Sequence, residues 1–277
     1  MDFYQRFPSF IKLKGGLGNQ LFQVAFGEWI RINTGKNIIY DTRGLTNAQE
    51  PRNLDLIHFD FYDRLNSYFM NHEKSLNQLY KKTVFSIYNK ANFHLDENEF
   101  SKNEKLITRP GIIKGFWQTN RFAFELKKID PYFFNLKQTL LTPSHIKINP
   151  LVESVAIHVR GTDYLTHPSL TKLSSDYYSA AVEYVNSRIE RPNFFVFTDD
   201  VPHVYRTLGK LNYEIIETGN SVLDFALLSS CKHQIIANST FSWWASFLNP
   251  NPSKIVVGPA KWSSSVNPNL FTTHTIK

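Results

Sequence analysis

Ser154-Val155-Ala156-Ile157-His158-Val159-Arg160-Gly161-Thr162-Asp163-Tyr164 is the stretch on which the fold turns. Val155–Val159 is almost wholly apolar and too short for a helix, so it reads as a buried strand. The pattern then breaks into Arg160-Gly161-Thr162-Asp163, a polar turn with glycine near its centre. In open parallel sheets ligands sit outside the carboxyl ends of the strands. Arg160 stands at such an end, and its guanidinium offers a planar fork of donors suited to phosphate. Asp163 is close enough in sequence to brace that fork. On this segment alone, a surface turn with a local Arg–Asp pair is an equal alternative.

Outward from this strand the second half alternates. Helical patterns at about 175–190, 202–208, 222–231 and from Thr240 separate apolar runs at 193–198, 213–217, 234–237 and 254–257. Strand–helix alternation of this kind predicts a doubly wound parallel sheet. Two further strand ends are polar. Phe197 leads into Thr198-Asp199-Asp200, whose carboxylates suit a purine edge or a ribose, or else cap the next helix. Ala237 leads into Asn238-Ser239-Thr240, where hydroxyls and backbone donors at a helix N-terminus suit an anion, or again form an ordinary cap. Phe241, Trp243 and Trp244 read as packing. One rim thus offers a cation, carboxylates and a phosphate cradle.

The first half opens with a strand, Phe10–Lys14, the loop Gly15-Gly16-Leu17-Gly18-Asn19-Gln20, a helical pattern ending near Gly35, and a strand at Asn37–Tyr40. Asp41 at the end of that strand invites a dinucleotide reading, in which Gly16, Gly18 and Asp41 serve a nicotinamide oxidoreductase. That reading lacks its third glycine, because the position is Leu21. Residues 42–150 are less patterned. Helical stretches fall within Leu65–Ala91 and at Arg121–Lys128, and strands are expected at Leu106–Thr108 and Ile112–Phe116. Prolines at 131, 143 and 150 set a domain boundary near Thr142–Leu151.

Hydrophobic residues make up 42% of the 277, ample for a core. No apolar run reaches the ~20 residues of a membrane span. The start of the chain lacks the pattern of a secretory signal, and Cys231 stands alone, so a cytoplasmic setting is expected. The net charge of +7 is uneven. Residues 1–140 hold 20 Lys/Arg against 14 Asp/Glu (+6), and the remainder 11 against 10 (+1). This excess is too small to require nucleic acid, but it is compatible with peripheral contact to an anionic inner membrane.

Four stretches together resemble one family: Gly15-Gly16-Leu17-Gly18-Asn19-Gln20-Leu21-Phe22-Gln23, His158-Val159-Arg160-Gly161-Thr162-Asp163-Tyr164, Phe197-Thr198-Asp199-Asp200, and Ala237-Asn238-Ser239-Thr240-Phe241-Ser242-Trp243-Trp244. The sequence is similar to the bacterial-type α-1,2-fucosyltransferases of glycosyltransferase family 11, related in pattern to protein O-fucosyltransferases and α-1,6-fucosyltransferases. The resemblance implies an α/β, GT-B-like fold of two facing Rossmann-like domains with a cleft between them. Residues 1–145 would be the acceptor side and 146–277 the GDP-fucose side. It implies inverting transfer of L-fucose from GDP-β-L-fucose to the 2-hydroxyl of a galactoside-terminated glycan, with no metal or other cofactor. By the same resemblance Arg160 holds the diphosphate, with Asp163 as its acidic companion and His158 opening the motif. Asp199 or Asp200 contacts the guanosine, Ser239 and Thr240 cradle phosphate, and Gly16, Gly18 and Asn19 face the donor. Many members carry a second arginine where this chain has Gly161. Asp41, Glu50, His58, Asp60 and Asp63 are open candidates for the general base. A non-catalytic GDP-sugar-binding module is the remaining rival.

Overall fold

The computed structural model describes residues 7–47, 51–71, 73, 75–140, 152–161, 172–262 and 274–276. The chain divides into two compact units, Met1–Asn135 and Leu136–Lys277. The boundary expected at 145/146 lies outside the described residues.

The first unit carries a five-stranded, wholly parallel sheet ordered β3-β2-β1-β5-β4. Its strands are β1 (Ser9–Lys12), β2 (Ile38–Asp41), β3 (Phe69–Met70), β4 (His94–Leu95) and β5 (Ile112–Ile113). Among the described residues six helices accompany them: α1 (Leu17–Thr34), α2 (Arg43–Thr46), α3 (Asp60–Leu65), α4 (Leu76–Lys90), α5 (Glu97–Lys102) and α6 (Asn120–Ile129). The run expected as a strand at Leu106–Thr108 is instead the end of a 3-10 turn, Glu104–Thr108. Asn103 starts it by accepting from the Lys105 N–H, a local bond that competes with strand pairing.

Helix α1 lies tight on this sheet, although Leu21 fills the third glycine position of a dinucleotide loop. The close approach comes later, at Gly27. A Cβ there would meet the Tyr40 hydroxyl at 2.4 Å and Ile11 Cδ1 at 2.8 Å. Tyr40 is pinned in turn, because its hydroxyl donates to buried Glu28 at 3.0 Å. Helix α1 ends on Gly35, whose left-handed backbone (φ 69°) turns the chain into β2.

The second unit is a six-stranded parallel sheet, β11-β10-β9-β6-β7-β8. Its strands are β6 (Ser154–Val159), β7 (Asn193–Thr198), β8 (Tyr213–Ile216), β9 (His233–Ile235), β10 (Val256–Pro259) and β11 (His274–Ile276). Helices α7 (Ser175–Asn186), α8 (Val201–Leu208), α9 (Ser221–Ser230) and α10 (Thr240–Leu248) alternate with them. Counted from β6, the order is that of the Rossmann sheet, 3-2-1-4-5-6. Val155, Ile157 and Val159 project into a core with Tyr177, Tyr178, Ala181 and Val185 of α7. Period-two alternation sends Ala156 and His158 to the opposite face, where Phe241 of α10 lies against the His158 ring. Trp243 and Trp244 are fully buried, as expected of packing residues. No helix among the described residues is long and apolar enough to cross a membrane.

Gly27→Ala tests the close approach of α1. The substitution gains about 1 kcal/mol of helix propensity, yet it forces a methyl group into Tyr40 and Ile11. Overpacking of this kind costs about 1–3 kcal/mol, so urea unfolding should show a net loss of stability. An unchanged or raised midpoint would mean that the α1–sheet contact yields.

Candidate active site

In the second unit the sheet's connections diverge between β6 and β9, so the carboxyl ends of these strands form the switch point where an open α/β sheet takes its ligand. Arg160 and Gly161 follow β6 there, and Asn238, Ser239 and Thr240 follow β9. The β6–β7 ladder ends at Val159 opposite Thr198, so one further step sets Arg160 beside Asp199. Register therefore builds the first contact. Arg160 Nη1 donates to Asp199 Oδ2 at 2.7 Å, and the Gly161 N–H donates to Asp199 Oδ1 at 2.8 Å. Both side chains of the pair are about a quarter exposed.

The two adjacent aspartates thus divide the work. Asp200 is the N-cap of α8, accepting from the His203 N–H at 2.9 Å, while its own N–H donates to Thr198 Oγ1. Gly161 is packed against it. A Cβ at 161 would lie 2.2 Å from Asp200 Cβ, so this position has no room for a side chain, basic or otherwise. Asp163 lies outside the described residues, and the carboxylate that braces Arg160 among those described is Asp199.

Ser239 is the N-cap residue of α10, but its side chain makes no capping bond. It is buried, Thr240 beside it is half-buried, and no acidic residue falls in the first turn of α10. The opening N–H groups and dipole of that helix suit an anion. Neighbouring Asn238 is held by donation from its amide to the Trp262 carbonyl at 2.9 Å. His158 is buried beneath the strand end, and its Nδ1 has no hydrogen-bond partner among the described residues. Burial first, and then the Arg160 charge, push its pKa down to about 3, so the ring is neutral at physiological pH. The hydroxyl of Tyr178 donates to the His158 carbonyl at 3.1 Å, and that of Tyr177 to the Ile236 carbonyl at 2.6 Å. These bonds satisfy backbone acceptors where the strands part.

In the first unit the corresponding switch point lies between β1 and β5. Gly15 has a left-handed backbone (φ +79°), and Gly16 is the N-cap of α1. Gly18 is buried in the first turn, and Asn19 Oδ1 accepts from Gln118 Nε2 at 2.8 Å, joining the first turn of α1 to the loop after β5. Sequence reading missed the residues that hold this loop. Gln20 donates to the carbonyls of Gly15 and Asn53, and Gln23 exchanges two hydrogen bonds of 3.0 Å with the Lys14 backbone. Asp41 cannot serve a dinucleotide ribose, because its carboxylate is buried and closed in two hydrogen bonds by the Arg43 guanidinium. Glu50 lies outside the described residues. Asp55, not singled out from sequence, has its pKa raised by burial, with His58 and Arg52 opposing the shift.

Among the described residues, no group of three His, Cys, Asp or Glu side chains could hold a metal ion. A cavity of about 540 Å³ opens at the other end of β6 and β9, lined by residues that include Glu153, Lys232, His233 and Asn251. It lies at the amino ends of the strands, away from the switch point.

The family model described as Glycosyl transferase family 11 matches residues 10–268. Two Escherichia coli proteins align over 94% of this chain. One, an O-antigen biosynthesis glycosyltransferase, WbnK, is 29% identical across 96% of its own length. The other, an alpha-1,2-colitosyltransferase, is 27% identical across 94% of its length. Among solved structures, fucosyltransferase NodZ from Bradyrhizobium shares the fold at a TM-score of 0.52 and 14% identity, over 88% of this chain and 94% of that one.

The buried histidine sets an acid limit. Its pKa of about 3 lies below the ordinary 6.5, so the unfolded chain takes up a proton that the folded chain refuses. This contribution is whole above about pH 6.5 and is lost as pH falls toward 3. His158→Gln should therefore lose less stability than the parent when urea unfolding is followed downward from neutral pH. Identical pH slopes would mean that the ring accepts a proton in place.

Proposed function

The chain belongs to glycosyltransferase family 11, and we propose that it transfers L-fucose from GDP-β-L-fucose, with inversion, to the 2-hydroxyl of a galactoside. The observation that carries this reading is the Arg160–Asp199–Gly161 contact at the switch point, beside the N-terminus of α10. A guanidinium fixed there is suited to the outer phosphate of a diphosphate, and Ser239, Thr240 and the opening N–H groups of α10 suit the inner one.

Breaking the fucosyl bond transfers an electron pair to the diphosphate, so negative charge grows on the leaving group. A fixed cation and fixed N–H donors stabilise that charge more in the transition state than in the ground state. On this reading the protein supplies what a divalent metal would otherwise supply. Asp199 orients the guanidinium and Asp200 holds the neighbouring turn. His158 supports the strand end as a neutral ring, adding no competing charge beneath the diphosphate. Inversion also needs a group to accept the acceptor hydroxyl's proton. Two relatives support the sugar class: the alpha-1,2-colitosyltransferase, and bovine galactoside 2-alpha-L-fucosyltransferase SEC1, which is 29% identical over 34% of this chain and 28% of its own length. Colitose is accordingly the rival donor sugar.

Turnover of GDP-fucose and GDP-colitose with a panel of galactosides, followed by linkage analysis, separates these donors and separates an enzyme from a sugar-nucleotide binder. An α-1,2-fucosylated product is expected, and GDP binding without any product would overturn the transferase chemistry. Turnover should persist in excess EDTA; its loss on chelation and return with manganese or magnesium would contradict metal-free departure. Arg160→Lys keeps the charge but loses the planar fork. By comparison with oxyanion-site donors, it should lower turnover on the order of 10²–10³-fold while the protein folds normally. Near-normal turnover would remove Arg160 from the site.

A further inference from the structure

Helix α4 is secured from one side only. Ser75 opens it by accepting from the Gln78 N–H at 3.2 Å. On the inward face, Val84, Phe85 and Tyr88 pack with Phe10, Ile39, Met70 and Ile112. Gln78 donates to the Phe69 carbonyl, and the Lys81 ammonium donates to the carbonyls of Ser67 and Phe69 at 2.6 and 3.0 Å. These contacts fix the rotation of the helix. At roughly 100° per residue, Leu76, Tyr80, Thr83 and Ile87 then share a narrow outward arc, with Leu79 beside them.

Apart from Thr83, whose hydroxyl donates to the Leu79 carbonyl, that outward arc is apolar. Leu76 is 87% exposed, Leu79 60%, and Tyr80 and Ile87 56% each; Phe93, just past the helix, is also exposed. Among the described residues these are five of the twelve large apolar side chains left in solvent, so the exposure is concentrated rather than scattered. A surface helix ordinarily turns polar residues outward. The charged residues beside the stripe are Lys82 and Lys90, and the 15 residues of α4 include no acid. Lys82 also donates to the Glu73 carbonyl, and Glu73 is the nearest acid before the helix. The half of the sequence that holds the helix, residues 1–140, carries a net +6.

We propose that this face of α4 rests on an anionic lipid surface. Leu76, Leu79, Tyr80 and Ile87 would enter the boundary between headgroups and acyl chains, and Lys82 and Lys90 would lie at the lipid phosphates. An apolar stripe flanked by lysines is the pattern of an interfacial helix, whose binding adds buried apolar area to attraction for anionic lipid. A second copy fits this face less well, since pairing it with itself opposes like charges. The contact is independent of which sugar is transferred, and its failure would leave the donor site as described.

The test is sedimentation of the full chain with phosphatidylcholine vesicles, with and without phosphatidylglycerol, at low and physiological salt. The protein should bind the phosphatidylglycerol vesicles, more weakly as salt rises. Leu79→Glu/Ile87→Glu should reduce binding about tenfold or more, since both side chains leave the apolar phase. Because both positions are solvent-facing, thermal unfolding should be unchanged. Lys82→Gln/Lys90→Gln should weaken binding several-fold, chiefly at low salt. No vesicle binding by the parent chain, or equal binding by the parent and the glutamate variant, would overturn the proposal. So would a concentration-dependent dimer that the glutamate variant abolishes, which would assign the face to a second copy.

Discussion

The carboxylate of Asp199 is the constraint on which the candidate site depends. One oxygen takes the Arg160 guanidinium and the other the Gly161 N–H, so a single side chain fixes both a charge and the backbone turn that carries it. The pair is part-exposed, and such pairs contribute only about 0–1 kcal/mol to stability. Its value is positional. A long flexible arginine is held in one orientation before a ligand arrives, which lowers the ordering cost of binding. The same step of the ladder brings Asp200 against Gly161, and that contact leaves no space for a side chain at 161. A single arginine and a closely packed glycine are therefore one structural solution here, not an arginine pair with a member missing.

The ground beneath this cation is electrically quiet. His158 lies on the strand directly before it, and a protonated ring there would oppose Arg160 in a buried setting. Burial keeps the imidazole neutral, and Phe241 packs against it. Among the described residues, the charge near the switch point thus lies on the guanidinium, on Asp199 and the neighbouring Asp200, and on the helix dipole of α10. In the first unit the equivalent loop is held by neutral amides instead. Gln20, Gln23 and Gln118 supply the hydrogen bonds around Gly15–Asn19.

Much of the fold was legible because its strands are continuous apolar runs separated by capped helices. The GT-B-like α/β class follows from that alternation together with the motif resemblance, and the NodZ likeness agrees with it. Two-residue strands such as Phe69–Met70 and His94–Leu95 were not legible, since a pair of residues has no periodicity. Arg160 was readable as a strand-end cation. Its contact with Asp199 was not, because that contact requires the register between β6 and β7, which no local pattern states, and Asp163 lies outside the described residues. Leu21 in the third glycine position speaks against a close approach of α1 to its sheet, yet Gly27 makes one, because the contact depends on which helical turn passes over Tyr40.

The central claim, that Asp199 orients Arg160 for a diphosphate, is tested most directly by calorimetric titration of GDP and GMP into the parent chain and into Asp199→Asn. The parent should prefer GDP, and the asparagine variant should lose about tenfold or more of that preference while its GMP affinity changes little, since only the outer phosphate needs the oriented fork. A variant that retains the full preference for GDP over GMP would show that the diphosphate is bound without this contact, and the switch-point assignment would fail.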